Sequence, residues 1–229
     1  MSVILYDLAG ADDRRFSPNC WRIRMALAHK GLACDARPTR FCDIKAIAGG
    51  GFETIPVVDD GGRLIADSWA IAGHLEEAYP DLPSLFGGAG GEALTRFVQD
   101  WCVTVLHPGI MPTIVLDIFE HLTPEDQTYF RASRQKRFGR SLEEVQADRA
   151  TRVEGFRQSL EPLRRSVQGV AFLGGDQPLY ADYLAFGALQ WARTISPFRL
   201  LAEDDPIKAW FERCLDLYDG LGRAAPGYY

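Results

Sequence analysis

The chain has 229 residues, 47% of them apolar and 24% charged, with a formal net charge of -6. Such a chain can bury a core without covalent staples and makes one large domain or two small ones. Its acidic balance argues against a nucleic-acid partner, and no uninterrupted apolar run approaches the roughly 20 residues of a membrane span.

The start, Met1-Ser2-Val3-Ile4, lacks a basic segment followed by an apolar one, so no secretory signal is expected. Five scattered cysteines, an odd number, fit a reducing cytoplasm better than a disulfide framework. The four histidines show no metal-ligand spacing, so no metal site is expected.

Val3-Ile4-Leu5-Tyr6 reads as a strand. Ser17 then stands where a helix N-cap belongs, with Pro18 at the first helical position and a stop at Gly31. Cys34 opens a second extended piece reaching about Phe41, and Pro38 inside it marks an edge strand or an early end. Residues 43–51 read as a helical turn dissolving into a glycine loop. Ile55-Pro56-Val57-Val58-Asp59, the turn Asp60-Gly61-Gly62 and Arg63-Leu64-Ile65-Ala66 form a hairpin. Asp67-Ser68 opens a helix that stops at Pro80. The order β-α-β-α-β-β-α predicts a mixed four-stranded sheet, small enough to be one unit.

Phe86-Gly87-Gly88-Ala89-Gly90-Gly91 reads as a linker, which places one domain at 1–85 and a second at 92–229. The second is all helical. A helix from about Glu92 carries Leu94, Phe97, Val98, Trp101 and Val105 on one face, and Pro108-Gly109 and Pro112 should kink or break it. Thr123-Pro124 caps the next helix, and the capping box Ser141-Leu142-Glu143-Glu144 opens a long polar helix towards Gln168. Ala181 to Ile195 is apolar around most of its circumference and so buried on several sides, and Asp205-Pro206 starts a last helix.

Three features carry chemistry. The Ser17 hydroxyl at a positive helix end suits an anion, although a plain N-cap is the simpler account of the residue on its own. Were that anion a thiolate, a hydrogen bond of about 1.5–3 kcal/mol plus about 0.3–1 from the helix end would lower its pKa by roughly one to three units. Ile55-Pro56 is either an ordinary strand start or a cis peptide that leaves the Ile55 backbone free for an extended ligand. Asp67-Ser68 is a cap, or a site for the two ends of an amino acid. Cys20, on the third helical position, reads as a small buried residue.

Together, Ser17-Pro18-x-Cys20-Trp21, Thr54-Ile55-Pro56-Val57-Val58-Asp59 and Asp67-Ser68-x-x-Ile71 resemble the thioredoxin-like half of a cytosolic glutathione transferase. Phe172-Leu173-Gly174-Gly175-Asp176-Gln177-Pro178 with Ala181-Asp182-Tyr183 is similar to the entry into the central helix of that family's all-α half. Trp21-Arg22, Glu203-Asp204-Asp205-Pro206 and Asp216 through Arg223 resemble the bacterial β-aryl-etherase-like branch and related fungal enzymes.

The resemblance implies a thioredoxin-like domain followed by an all-α domain, and a homodimer. It implies glutathione as cosubstrate, and an apolar aromatic electrophile, with aryl ether cleavage among the reactions. Ser17 would be the thiol-activating residue, Pro56 the cis proline, Ile55 the backbone partner of the cysteinyl unit, and Asp67 and Ser68 the γ-glutamyl site. Arg40 and Lys45 are both in range of the glycyl end. Two other readings stay open: a glutathione-dependent cis–trans isomerase of the maleylacetoacetate type, and a non-catalytic regulator on the same fold. The chain departs from the pattern at Asp67, where many members have Glu, and at Leu179, where a capping Ser or Thr is usual.

Overall fold

The computed structural model describes residues 2–229. Strands β1 (Val3–Leu8), β2 (Cys34–Thr39), β3 (Val57–Asp60) and β4 (Arg63–Ala66) form one mixed sheet in the order β2-β1-β3-β4. β1 runs parallel to β2 and antiparallel to β3, and β4 closes the hairpin. Pro38 lies on the edge strand β2, where its missing N–H removes no bond from a central ladder. Helices α1 (Pro18–His29) and α2 (Ser68–Ala78) complete this half. The helical turn expected at 43–51 starts earlier: β2 ends at Thr39 rather than near Phe41, and Phe41–Gly49 form a 3-10 segment that kinks at Ile47 and Ala48.

The second half is helical throughout, yet three of its segments differ from expectation. Helix α3 (Ala89–Trp101) begins inside the glycine tract rather than after it. A Cβ on Gly91 would lie 1.9 Å from the Phe86 carbonyl oxygen, so this glycine, already inside α3, serves close backbone packing. Next, α3 continues without a break into α4 (His107–Glu120). Between them, residues 102–106 form one wide turn in which the His107 N–H reaches the Cys102 carbonyl. That turn absorbs the geometry Pro108 would otherwise disrupt. The whole helix is long and apolar enough to cross a membrane, but half of its most apolar stretch is buried within the fold.

The expected apolar face of α3 is also not its buried face. Leu94 and Phe97 are 73% and 74% exposed, and only Thr95 is fully buried there. Third, the predicted long helix from Ser141 is three helices: α6 (Leu142–Gln146), α7 (Arg149–Ser159) and α8 (Glu161–Ser166), following α5 (Pro124–Phe138). The capping box is present, but the chain breaks at Asp148, with φ 57°. Tertiary bonds hold that break. Gln146 accepts from the Leu116 N–H at 2.8 Å and donates to Asp117 at 2.9 Å. Thr123 precedes α5 as expected, but its hydroxyl makes no cap bond.

Every residue of α9 (Tyr180–Ile195) except Ala181 is buried, and α10 (Ile207–Gly220) packs against it. Asp182 ties the entry to α9 together. Its carboxylate accepts from the Leu173, Gly174 and Leu179 N–H groups and from Trp210 Nε1, between 2.7 and 3.1 Å. Leu179 has no side-chain acceptor, so the helix lacks the reciprocal cap bond.

The two halves meet where α9 crosses α1. A Cβ on Gly187 would sit 2.5 Å from the Pro18 carbonyl oxygen, so the backbones touch one residue from Ser17. Gly187→Ala should therefore lower stability by about 1–3 kcal/mol. A denaturation midpoint equal to that of the wild type would refute this close contact.

Candidate active site

Ser17 begins at the N-terminus of α1, where its Oγ accepts the Cys20 N–H at 3.2 Å. It is buried from bulk solvent but borders a cavity of about 450 Å³. On the same side lie Pro18, Asn19, Glu53, Thr54 and Ile55. The Ile55–Pro56 peptide bond is cis, and Pro56 is buried behind the cavity wall. The opposite wall comes from the helical half and is largely aromatic and apolar, with Phe130, Tyr129, Met111, His107 and Trp191 beside two cations, Arg134 and Arg137. Phe16 and Phe41 complete it.

Asp67 and Ser68 stand apart from this cavity, at the start of α2. Asp67 is exposed, holds φ at 73°, and caps the helix by accepting the Trp69 and Ala70 N–H groups at 2.9 and 3.0 Å. Ser68 is buried, and its carbonyl accepts the Tyr180 hydroxyl at 2.9 Å.

Arg40 and Lys45 lie outside the cavity lining, and both are exposed. Arg40 is paired with Asp43 at 2.8 Å, and Lys45 with Glu53 at 3.3 Å.

One residue joins the Ser68 site to the cavity. Arg22 is 1% exposed, and among the described residues it forms no ion pair. Its guanidinium donates to Ser68 Oγ at 3.4 Å, to Gln99 Oε1 at 3.2 Å and to His107 Nε2 at 3.4 Å, while its Nε has no partner. Because Arg can only donate, His107 must accept at Nε2 and carry its proton on Nδ1. Burial, aided by the Arg22 charge, pushes the His107 pKa down to about 3. Beside it, the buried Trp191 indole N–H has no partner.

This has a consequence for stability. Below about 6.5 the unfolded chain protonates His107 while the folded chain keeps it neutral, so stability should fall as pH drops from 6.5 towards 3. His107→Gln should flatten that slope, by a few kcal/mol over the interval. Urea titrations at stepped pH that give the same slope for both proteins would disprove it.

Cys20 is not part of this chemistry. It is fully buried, its Sγ accepts the Leu8 N–H at 3.5 Å, and burial raises its pKa well above the ordinary thiol value. Among the described residues no group of three or more His, Cys, Asp or Glu could hold a metal ion.

The family model for the glutathione S-transferase N-terminal domain matches residues 13–84, and that for the C-terminal domain matches residues 93–217. The chain belongs to the glutathione S-transferase family. A glutathione S-transferase-like protein of Aspergillus flavus, ustS, is 26% identical over 210 residues, which is 78% of this chain and 75% of that protein. Among solved structures, a glutathione S-transferase of Ceriporiopsis subvermispora in complex with glutathione aligns with TM-score 0.82 at 24% identity. That alignment covers 96% of this chain and 97% of the other. Glutathione transferase GSTFuA2 of Phanerochaete chrysosporium aligns with TM-score 0.76 at 26% identity, over 96% and 93% of the two chains. The sheet order and the all-α second half are those of the glutathione transferase fold.

Sequence reasoning did not assign a role to Arg22, His107, Trp191, Arg134 or Arg137. Arg22 alone left a trace, through the resemblance carried by Trp21-Arg22, but nothing in α1 distinguishes it from the neighbouring Arg24.

Proposed function

We propose that this chain is a serine-type glutathione transferase of the β-aryl-etherase-like branch, attacking an apolar aromatic electrophile, with aryl ethers among its substrates. The observation that carries this reading is one cavity bordered by Ser17 and Ile55 on one side and by an aromatic wall on the other. Residues 1–85 would hold the tripeptide, and residues 92–229 would supply the electrophile wall. The Ser17 hydroxyl would donate to sulfur and favour the thiolate without a general base. Ile55 would pair with the cysteinyl backbone, against Pro56. Asp67 and Ser68 would hold the γ-glutamyl end, where the buried Arg22 supplies positive charge lacking a counter-ion. Arg40 or Lys45 would reach the glycyl carboxylate by releasing its present acidic partner.

The test is direct. The protein should bind glutathione and consume it with a chlorodinitrobenzene or an aryl ether. Retention on a glutathione column without consumption of the thiol would defeat the transferase reading and favour an isomerase or a regulator.

The exposed Leu94 and Phe97 would form the centre of a homodimer, since two large apolar side chains side by side on one helix suit a partner surface. Leu94→Glu should then give a monomer by sedimentation, and a monomeric wild type would sink the proposal. Five free thiols, two of them exposed, suit a reducing cytoplasm as the site of action.

A further inference from the structure

We propose that the aromatic electrophile is not wholly apolar: its ring bears an anionic group, a carboxylate or a phenolate, and Arg134 and Arg137 hold that group. Both side chains line the cavity and stand three residues apart on α5. Among the described residues neither forms an ion pair, whereas Arg131 on the same helix is paired with Glu143 at 2.9 Å. In a chain of net charge -6, two adjacent cations without acidic partners on one wall are not a general excess of base.

Arg134 is the more telling of the two. Its guanidinium lies 4.5 Å from the centre of the Phe130 ring and 5.8 Å from that of Phe41, and both rings also line the cavity. NH1 donates to Ser133 Oγ at 3.0 Å, while Nε is buried and has no partner. Burial and the charge of Arg137 both disfavour the Arg134 cation. An anion between the two guanidiniums would satisfy the open donors and relieve that repulsion, while its ring stacks among Phe41, Phe130 and Trp191. The one carboxylate in the lining, Glu53, is already paired with Lys45.

The proposal rests on the transferase reading for its chemistry, but its binding part does not. Calorimetry of the full chain without glutathione should show 4-nitrobenzoate binding about tenfold tighter than 4-nitrobenzamide, a preference that shrinks with added salt. In Arg134→Gln and in Arg137→Gln that ratio should fall to about threefold or less. Arg137→Gln is the safer variant, because its side chain is exposed. With glutathione added, 4-chloro-3-nitrobenzoate should likewise be preferred over its amide. Equal binding of acid and amide, binding of neither, or a preference that survives both substitutions would overturn the proposal. So would variants that weaken glutathione binding while leaving the acid-to-amide ratio unchanged, because the arginines would then serve the tripeptide. Conjugation of neither substrate, with the acid preference intact, would instead defeat the transferase reading alone.

Discussion

Replacing Ser17 with alanine is expected to slow conjugation about ten- to a hundredfold at neutral pH, the cost of one hydrogen bond to a charged sulfur. The helix end remains in place, so some thiolate stabilisation should persist. The sign of the pH effect follows from which form the hydroxyl favours. Ser17 would stabilise the thiolate, so its loss should move the rising limb of the rate profile to higher pH by about one to two units. Glutathione affinity should change little, because the tripeptide's ends are held elsewhere. Part of any stability change belongs to the lost cap, about 0.5–2 kcal/mol, and has to be measured separately. The decisive measurement is the ultraviolet absorbance of the thiolate against pH. A midpoint that does not move would remove Ser17 from the mechanism.

The second large effect is expected at Arg22. A buried guanidinium with no carboxylate partner is expensive to hold, and the nearest polar acceptors are Ser68, Gln99 and His107. A ligand carboxylate docking beside Ser68 would compensate that charge. Arg22→Met should therefore weaken glutathione binding about tenfold or more, as expected for loss of a charge-assisted partner. The same change should shrink the rise in melting temperature that glutathione produces. Stability without ligand should change less, because an apolar side chain of similar length replaces an uncompensated charge. Arg22→Lys should keep part of the affinity. An unchanged dissociation constant in Arg22→Met would show that the charge serves only the packing of α1 against the helical half.

Much of the first half was legible from local signals. The Ser17 cap, the glycine stop at 31, the hairpin around Gly61-Gly62 and the Asp67 cap each depend on a few neighbouring residues. The Asp182 position in the second half entered only through the family resemblance, because its four donors come from three separate stretches of chain. The errors share one cause. Glycines at 90 and 91 read as a linker because nothing in their own composition reveals that α3 already begins there and that Gly91 packs against the Phe86 carbonyl. The helix after Ser141 reads as continuous because the bonds that break it come from Leu116 and Asp117.

What the sequence determined by itself is the set of elements in the first half, their order, the all-helical character of the second half and the hydroxyl at the head of α1, since short-range propensity and capping act within a turn or two. What only the tertiary structure decided is the character of the site. Arg22 meets Gln99 and His107 from the other half of the chain, and Arg134 and Arg137 reach the cavity that Ser17 opens. Such charges look alike on paper, whether they end up solvated, paired or buried alone. Desolvation and the presence of a counter-ion separate those cases, and both depend on which distant segments the fold brings together.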